Sequence, residues 1–428
     1  MVKLDDVALA NILTGCQFML EPGCSISLAA CDTSQITMPS GLTSIKCHSK
    51  LYKCRCKGQH ESTILDYGLS QGTESPVKWA TMSQQSSLPR YDIHRSYEWN
   101  YSHWPEPVDV VVPPMAGQWR FCGLPVESPL GVAAGPLLNG RWCLYYASLG
   151  FDVVTYKTVR SGQRDCYPLP NLVPVECPQL RGDEVEVREC SAMQGSWAVS
   201  FGMPSKSPEH WRADVEWTRE QLAGNKLLCV SVVATVQDGW AIGDLADDYA
   251  LCAKWAVESG ADVVETNFSC PNVATCDGQL FQQPQEARIV AERVRDAIGD
   301  VPLIIKIGHV PTRDAAARLI DALSPYASAL AMTNSIATTV IQSDGGRRFD
   351  GQVRGICGSA ILDSSINQVA MFHELLSEYG TKLDLIGVGG AGSATGVRGY
   401  LVAGAHAVHL ATAAMLNPRV ALEIKGDW

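Results

Sequence analysis

No run of 18 apolar residues occurs in the 428-residue chain, so it offers no candidate for a membrane-spanning helix. Basic residues are in the minority, 34 Lys and Arg against 45 Asp and Glu. The resulting net charge of −11, with no basic patch to offset it, argues against nucleic acid as a main partner. The N-terminus lacks the long apolar core of a signal peptide, because Met1-Val2-Lys3-Leu4-Asp5-Asp6 runs into a broken apolar stretch. No Gly-x-Gly-x-x-Gly opens a helix after an early strand, which counts against a doubly wound dinucleotide fold, the runner-up architecture. Cysteine is plentiful, at 16, but the duplicated Cys pairs of structural zinc sites and the closely spaced runs of iron–sulfur sites are both missing. Cys54-Arg55-Cys56 has no partner pair, so no metal is expected. From Cys122 onward the cysteines are scattered singly through apolar segments, which suits reduced thiols in the cytoplasm.

What is present suffices for a large core: 46% of the residues are hydrophobic, over a length that suits one large domain or two ordinary ones. Residues 1–85 carry six cysteines and many Ser, Thr and Gln without a sustained period of 2 or 3.6, and read as a poorly ordered or atypical extension. Met82-Ser83-Gln84 is a conceivable start of the working protein. Residues 86–120, rich in Tyr, Trp and Pro, read as an extended strap laid across a neighbouring surface or a subunit contact.

From Phe121 short apolar runs alternate with amphipathic stretches. Strands are expected at Leu130–Ala134, Val153–Tyr156, Leu228–Val233, Val263–Phe268, Leu303–Ile307, Ala329–Thr333, Leu385–Val388 and Ala407–Leu410. Helical spacing between them is clearest at Leu245–Ser259, Glu286–Ala297 and Thr312–Leu323. Eight such units predict a (β/α)8 TIM barrel over 121–428, with functional groups at the C-terminal ends of the strands. The long connection from Val159 to Lys226 is expected to be an insertion after the second strand, lying over the barrel mouth.

The fourth strand runs into Asn267-Phe268-Ser269-Cys270-Pro271-Asn272. Asn267 and Asn272 can each donate and accept hydrogen bonds, which suits a flat ligand of alternating imide and carbonyl groups, and Cys270 between them can move a proton or attack. This hexapeptide resembles the active-site loop of dihydroorotate dehydrogenases, in the soluble branch whose base is a cysteine. The related dihydropyrimidine dehydrogenases typically carry histidine at the position of Asn272. The resemblance covers roughly Phe121 to the C-terminus. It implies FMN as cofactor, a dihydropyrimidine substrate, and oxidation of (S)-dihydroorotate to orotate in pyrimidine biosynthesis.

The strand ends extend the resemblance. Ala134-Gly135 matches an element contacting the flavin, where glycine lets a ring system lie against backbone. Lys157 matches a lysine near flavin and substrate, and Lys306 one beside the flavin; a cation in an apolar strand needs a partner. Asn334 matches a substrate-binding amide, with Ser335 beside it. Tyr167-Pro168-Leu169-Pro170-Asn171 is similar to the family's Asn-Pro-x-Pro-Arg. The family's Asn-Ser-Met-Gly-Leu-Pro-Asn stands here as Val199-Ser200-Phe201-Gly202-Met203-Pro204-Ser205, so Val199 replaces a substrate amide unless a neighbour such as Ser200 supplies the bond. Arg354-Gly355-Ile356-Cys357-Gly358 precedes a helical stretch, Gly387-Val388-Gly389-Gly390 follows the seventh strand, and Ala411-Thr412 the eighth. Backbone N–H groups there would form an anion nest, suiting FMN or a bare sugar phosphate. Two other readings stand: a uracil or thymine dehydrogenase, and a flavin-carrying subunit without turnover. The electron acceptor is left open among fumarate, a quinone and a partner flavoprotein, and a homodimer is compatible with the sequence.

Overall fold

The computed structural model describes residues 88–269 and 279–428 in full, the backbone of 276–278, and the backbone of five short strands between residues 2 and 64. The chain divides into two units, 1–85 and 86–428. In the first, Val2–Lys3 pairs with Ser27–Leu28, and Tyr52–Cys56 lies between Ser34–Met38 and Ser62–Ile64. The side chains of Cys54 and Cys56 lie outside the described residues.

In the second unit eight parallel strands close into a barrel: Leu130–Val132, Val153–Val159, Leu227–Val232, Val263–Asn267, Leu303–Lys306, Ala329–Met332, Asp384–Val388 and Ala407–Leu410. They pair in sequence order and the eighth returns to the first. Each is an apolar or β-branched run because both of its faces are covered, one by the helices and one by the barrel interior. The eight strand positions and the barrel agree with the sequence expectation. Helices Ile242–Glu258, Pro284–Ile298 and Arg313–Leu323 occupy the three expected places, the last capped by Thr312, whose hydroxyl accepts from the Ala315 N–H. Inside the barrel Val153, Cys229, Val263, Ile304, Ala331 and Ile386 form one cluster, closed by Phe121 of the hairpin Trp119–Phe121/Leu124–Val126.

The insertion after the second strand supplies three strands, Leu172–Glu176, Glu186–Glu189 and Ser196–Val199, and then the barrel helix Pro208–Gln221. A second excursion, after the sixth barrel strand, adds Ile336–Ile341 and Arg354–Gly358. The five strands pair into a second sheet with its own core of Val173, Val175, Val187, Ile336, Val340 and Ile356. Arg354–Gly358 is therefore a strand, antiparallel to Ser196–Val199, and the helical stretch expected after it follows at Ser359–Ile361 and Leu362–Tyr379. The 86–120 segment is not extended throughout. Ser96 caps a helix at Tyr97–Ser102, and Tyr91 and Tyr97 set their rings edge-on to Phe201. The helix docks on the barrel through the Trp142 indole N–H, which donates to the Asn100 carbonyl at 3.2 Å.

Candidate active site

Side chains alternate along a strand, so residues at the C-terminal ends of the barrel strands turn inward at the mouth. There they line a cavity of about 860 Å3, counting the part open to solvent. Ala133, Ala134, Gly135, Lys157, Asn267, Lys306, Asn334, Ser335, Val388, Ala411 and Thr412 face it. Every barrel strand except the third contributes, and the second sheet supplies the opposite wall with Leu172, Trp197, Val199 and Cys357. The structure thus brings together Ala134, Gly135, Lys157, Asn267, Lys306, Asn334, Ser335, Ala411 and Thr412. Cys270 and Asn272 lie outside the described residues.

The polar groups are held firmly. Asn267 accepts from the Ser269 N–H at 3.1 Å, while its own amide N–H faces the Met203 sulfur at 3.7 Å, a soft contact that leaves donor capacity for a ligand. The Asn334 amide donates to the Ser269 carbonyl and so anchors the backbone one residue before Cys270. The Cys357 thiol donates to the Asn334 carbonyl at 3.7 Å. Lys306 is buried and its Nζ lies 3.9 Å from Glu265 Oε1, which supplies the partner its strand position requires.

The wall facing the two asparagines is apolar. Trp197, Val199, Phe201 and Met203, every second residue, all line the cavity. Ser200 turns the other way, and its hydroxyl accepts from Arg354 Nε at 2.8 Å. It does not stand in for the amide that Val199 lacks. The period of two in this stretch was the available signal for these lining residues. Thr158, next to Lys157, also lines the cavity, as does Met415, which no motif marked.

At the far end the turn after the seventh strand carries Gly389 at φ +129° and Gly390 at φ +75°. A Cβ on Gly390 would lie 2.7 Å from the Gly358 carbonyl oxygen, and one on Gly389 would lie 2.5 Å from the Ser365 hydroxyl. The backbone here is packed so tightly that only glycine fits, and Tyr400 pins the turn by donating to the Gly389 carbonyl at 2.6 Å. Gly358, Gly389 and Gly390 therefore form one cradle. Gly355 and Gly387 do not join it. Gly355 is paired to Val199 and Ala337 inside the second sheet, and a Cβ on Gly387 would collide with the Tyr400 ring behind the barrel.

One buried pair of groups sits below the floor of the cavity and was given no role from sequence: Glu265, two residues before Asn267, and His409 on the eighth strand. Both His409 ring nitrogens lack a partner, and burial, helped by the Lys306 ammonium, pushes its pKa down to about 3. It is neutral at ordinary pH.

A family profile described as dihydroorotate dehydrogenase matches residues 194–427. Among similar proteins, the dihydroorotate dehydrogenase of Dictyostelium discoideum is 28% identical over 358 residues, covering 78% of this chain and 96% of that one. The catalytic subunit of dihydroorotate dehydrogenase B (NAD(+)) from Solidesulfovibrio magneticus is 25% identical, over 71% of this chain and 89% of that one. Among solved structures, the DHODH of Eimeria tenella in complex with ferulenol superimposes with a TM-score of 0.61 at 17% identity, covering 75% of this chain and 86% of that one, a likeness of fold.

Proposed function

The chain belongs to the dihydroorotate dehydrogenase family and is an oxidoreductase, and from that premise we propose that it oxidises (S)-dihydroorotate to orotate with FMN, using Cys270 as the base. The observation that supports this reading best is the convergence of two lysines and two asparagines on one cavity at the barrel mouth, with Gly135, Ala411 and Thr412 in its lining. The residues fit a flavin nucleotide. Gly135 is exposed, with nothing within 4 Å of where a Cβ would stand, so a flat ring can lie against its backbone. The cradle of Gly358, Gly389 and Gly390, with Ala411-Thr412 at the next strand end, presents backbone to a phosphate.

FMN bound there supplies a hydride acceptor. Asn267, Asn272 and Asn334 hydrogen-bond the carbonyl and imide edges of the pyrimidine and fix its orientation. Lys157, with Ser335, attracts the substrate carboxylate from the cavity wall. The Cys270 sulfur takes the proton that leaves C5 while the hydride departs from C6. A thiol ordinarily titrates near 8.5, so turnover that depends on the thiolate rises toward mildly alkaline pH. Lys306 lies at the cavity floor, where its ammonium would stabilise the electron-rich form of a bound cofactor.

The apolar wall at Val199 favours one further comparison, because a site lacking that amide has less to offer the full set of pyrimidine polar atoms. Anaerobic mixing with dihydroorotate and, separately, with dihydrouracil distinguishes the substrates. Bleaching of the flavin by dihydroorotate supports the proposal; bleaching by dihydrouracil alone rejects it in favour of a dihydropyrimidine dehydrogenase.

A further inference from the structure

Inside the barrel, one layer beneath the cavity, an ion pair sits where hydrocarbon would pack as well. Along the fourth strand Val263, Glu265 and Asn267 share the inward face, so Glu265 lies one pleat below the Asn267 side chain that lines the cavity. Lys306, opposite Asn267 in register, reaches its Nζ to 3.9 Å from Glu265 Oε1. The two residues are 5% and 1% exposed, and Oε1 accepts no hydrogen bond.

The neighbours contribute no compensating charge. Cys229 of the third strand has its thiol pushed well up by burial and then by Glu265. Cys122 of the closing hairpin is likewise pushed up by burial. His409 of the eighth strand is neutral, and the Thr155 hydroxyl of the second has no hydrogen-bond partner. Among the described residues, the other cation of the cavity wall is Lys157. A buried pair at this separation, with an oxygen left unsatisfied, is a poor device for stability, since well-packed apolar residues of similar volume do as well or better. Its position suggests a different use. The ammonium faces the cavity and the carboxylate stands behind it, so the carboxylate determines how much of the positive charge is felt above.

We propose that Glu265 is a positioning residue that fixes the Lys306 ammonium at the cavity floor and offsets its charge, thereby holding down the reduction potential of the flavin above it. This rests on the flavin reading given above. A negative charge removed from the dry barrel interior is weakly screened, so its loss stabilises the electron-rich form of the cofactor.

The test compares FMN-loaded wild type, Glu265→Gln and Glu265→Asp, each equilibrated anaerobically with a redox dye at fixed poise, reading the ratio of reduced to oxidised flavin. Glu265→Gln keeps the shape and removes the charge, and is expected to raise the ratio by more than about tenfold. Glu265→Asp keeps the charge and is expected to stay within about threefold of wild type. A wild-type ratio in flavin-loaded Glu265→Gln overturns the proposal and leaves only a structural role. Should Glu265→Gln not fold or not hold FMN, Glu265→Asp decides alone, and a tenfold displacement in that variant overturns the proposal. A wild-type protein that takes up no flavin rejects the flavin reading itself, which is a separate outcome.

Discussion

Replacing Gly390 by alanine puts a methyl group into the tightest point of the proposed phosphate cradle. The residue sits at φ +75°, where an L-residue is disfavoured by roughly 1–2 kcal/mol. The new Cβ would lie 2.7 Å from the Gly358 carbonyl oxygen and 2.8 Å from Leu362 Cβ. Neither atom belongs to the far end of a flexible side chain, so the overlap adds a further 1–3 kcal/mol or so, as overpacking does elsewhere. The turn relieves this strain by opening, which moves its N–H groups away from the anion. At about 1.4 kcal/mol per factor of ten, a combined strain of roughly 2–5 kcal/mol weakens FMN binding by about 30-fold to a few thousand-fold. Titration of apoprotein with FMN, followed by quenching of flavin fluorescence, measures the constant, and circular dichroism checks that the barrel persists. A Gly390→Ala protein that binds FMN as tightly as wild type refutes the assignment of this turn to the phosphate.

Three further outcomes are expected. Cys270→Ala retains bound FMN and loses a factor of about 10²–10⁴ in turnover with dihydroorotate; near-full activity removes the thiol from the mechanism. His409 has its folded pKa depressed to about 3, so it has no linked effect above its ordinary value near 6.5, and below that the unfolded chain takes up a proton that the folded one refuses. Stability is therefore lost at about 1.4 kcal/mol per pH unit as pH falls from roughly 6.5 toward 3. His409→Leu breaks no hydrogen bond, and urea melts at pH 7 and pH 5 are expected to show the variant gaining roughly 2 kcal/mol on wild type at the lower pH; parallel pH curves contradict this. Deletion of residues 1–81 is expected to leave folding and flavin content intact, as read by thermal melting and the visible spectrum, since the barrel unit begins at residue 86.

The barrel was legible because its strands are buried on both faces and so appear as mostly apolar runs, Leu303-Ile304-Ile305 and Ala329–Met332 among them. The second sheet was not. Glu186–Glu189 is a strand of Glu, Val, Arg and Glu, and its partner Ile336–Ile341 lies on the other excursion, so no local pattern announces the pairing. A hint did exist at Ile336–Ile341, a β-branched run followed by Asp344-Gly345-Gly346 and then a second short strand, which is the signature of a hairpin. The cavity residues marked by motif were brought together where the motif falls at a strand end, as with Lys157, Asn267 and Asn334. Glycines taken from a motif as a block separated by place, Gly387 inside the seventh strand against the Tyr400 ring, Gly389 and Gly390 in the turn beyond its end. Glu265 and His409 escaped notice because an inward position in a barrel strand looks in sequence like any other polar interruption; counting by twos from Asn267 reaches Glu265.

A flavin and a dihydropyrimidine are proposed to meet at the mouth of this barrel. Anaerobic addition of dihydroorotate to the purified, FMN-loaded protein tests it most directly. Bleaching of the visible flavin band, with one orotate formed per flavin reduced, is the expected result; a band that persists unchanged in the presence of dihydroorotate contradicts it.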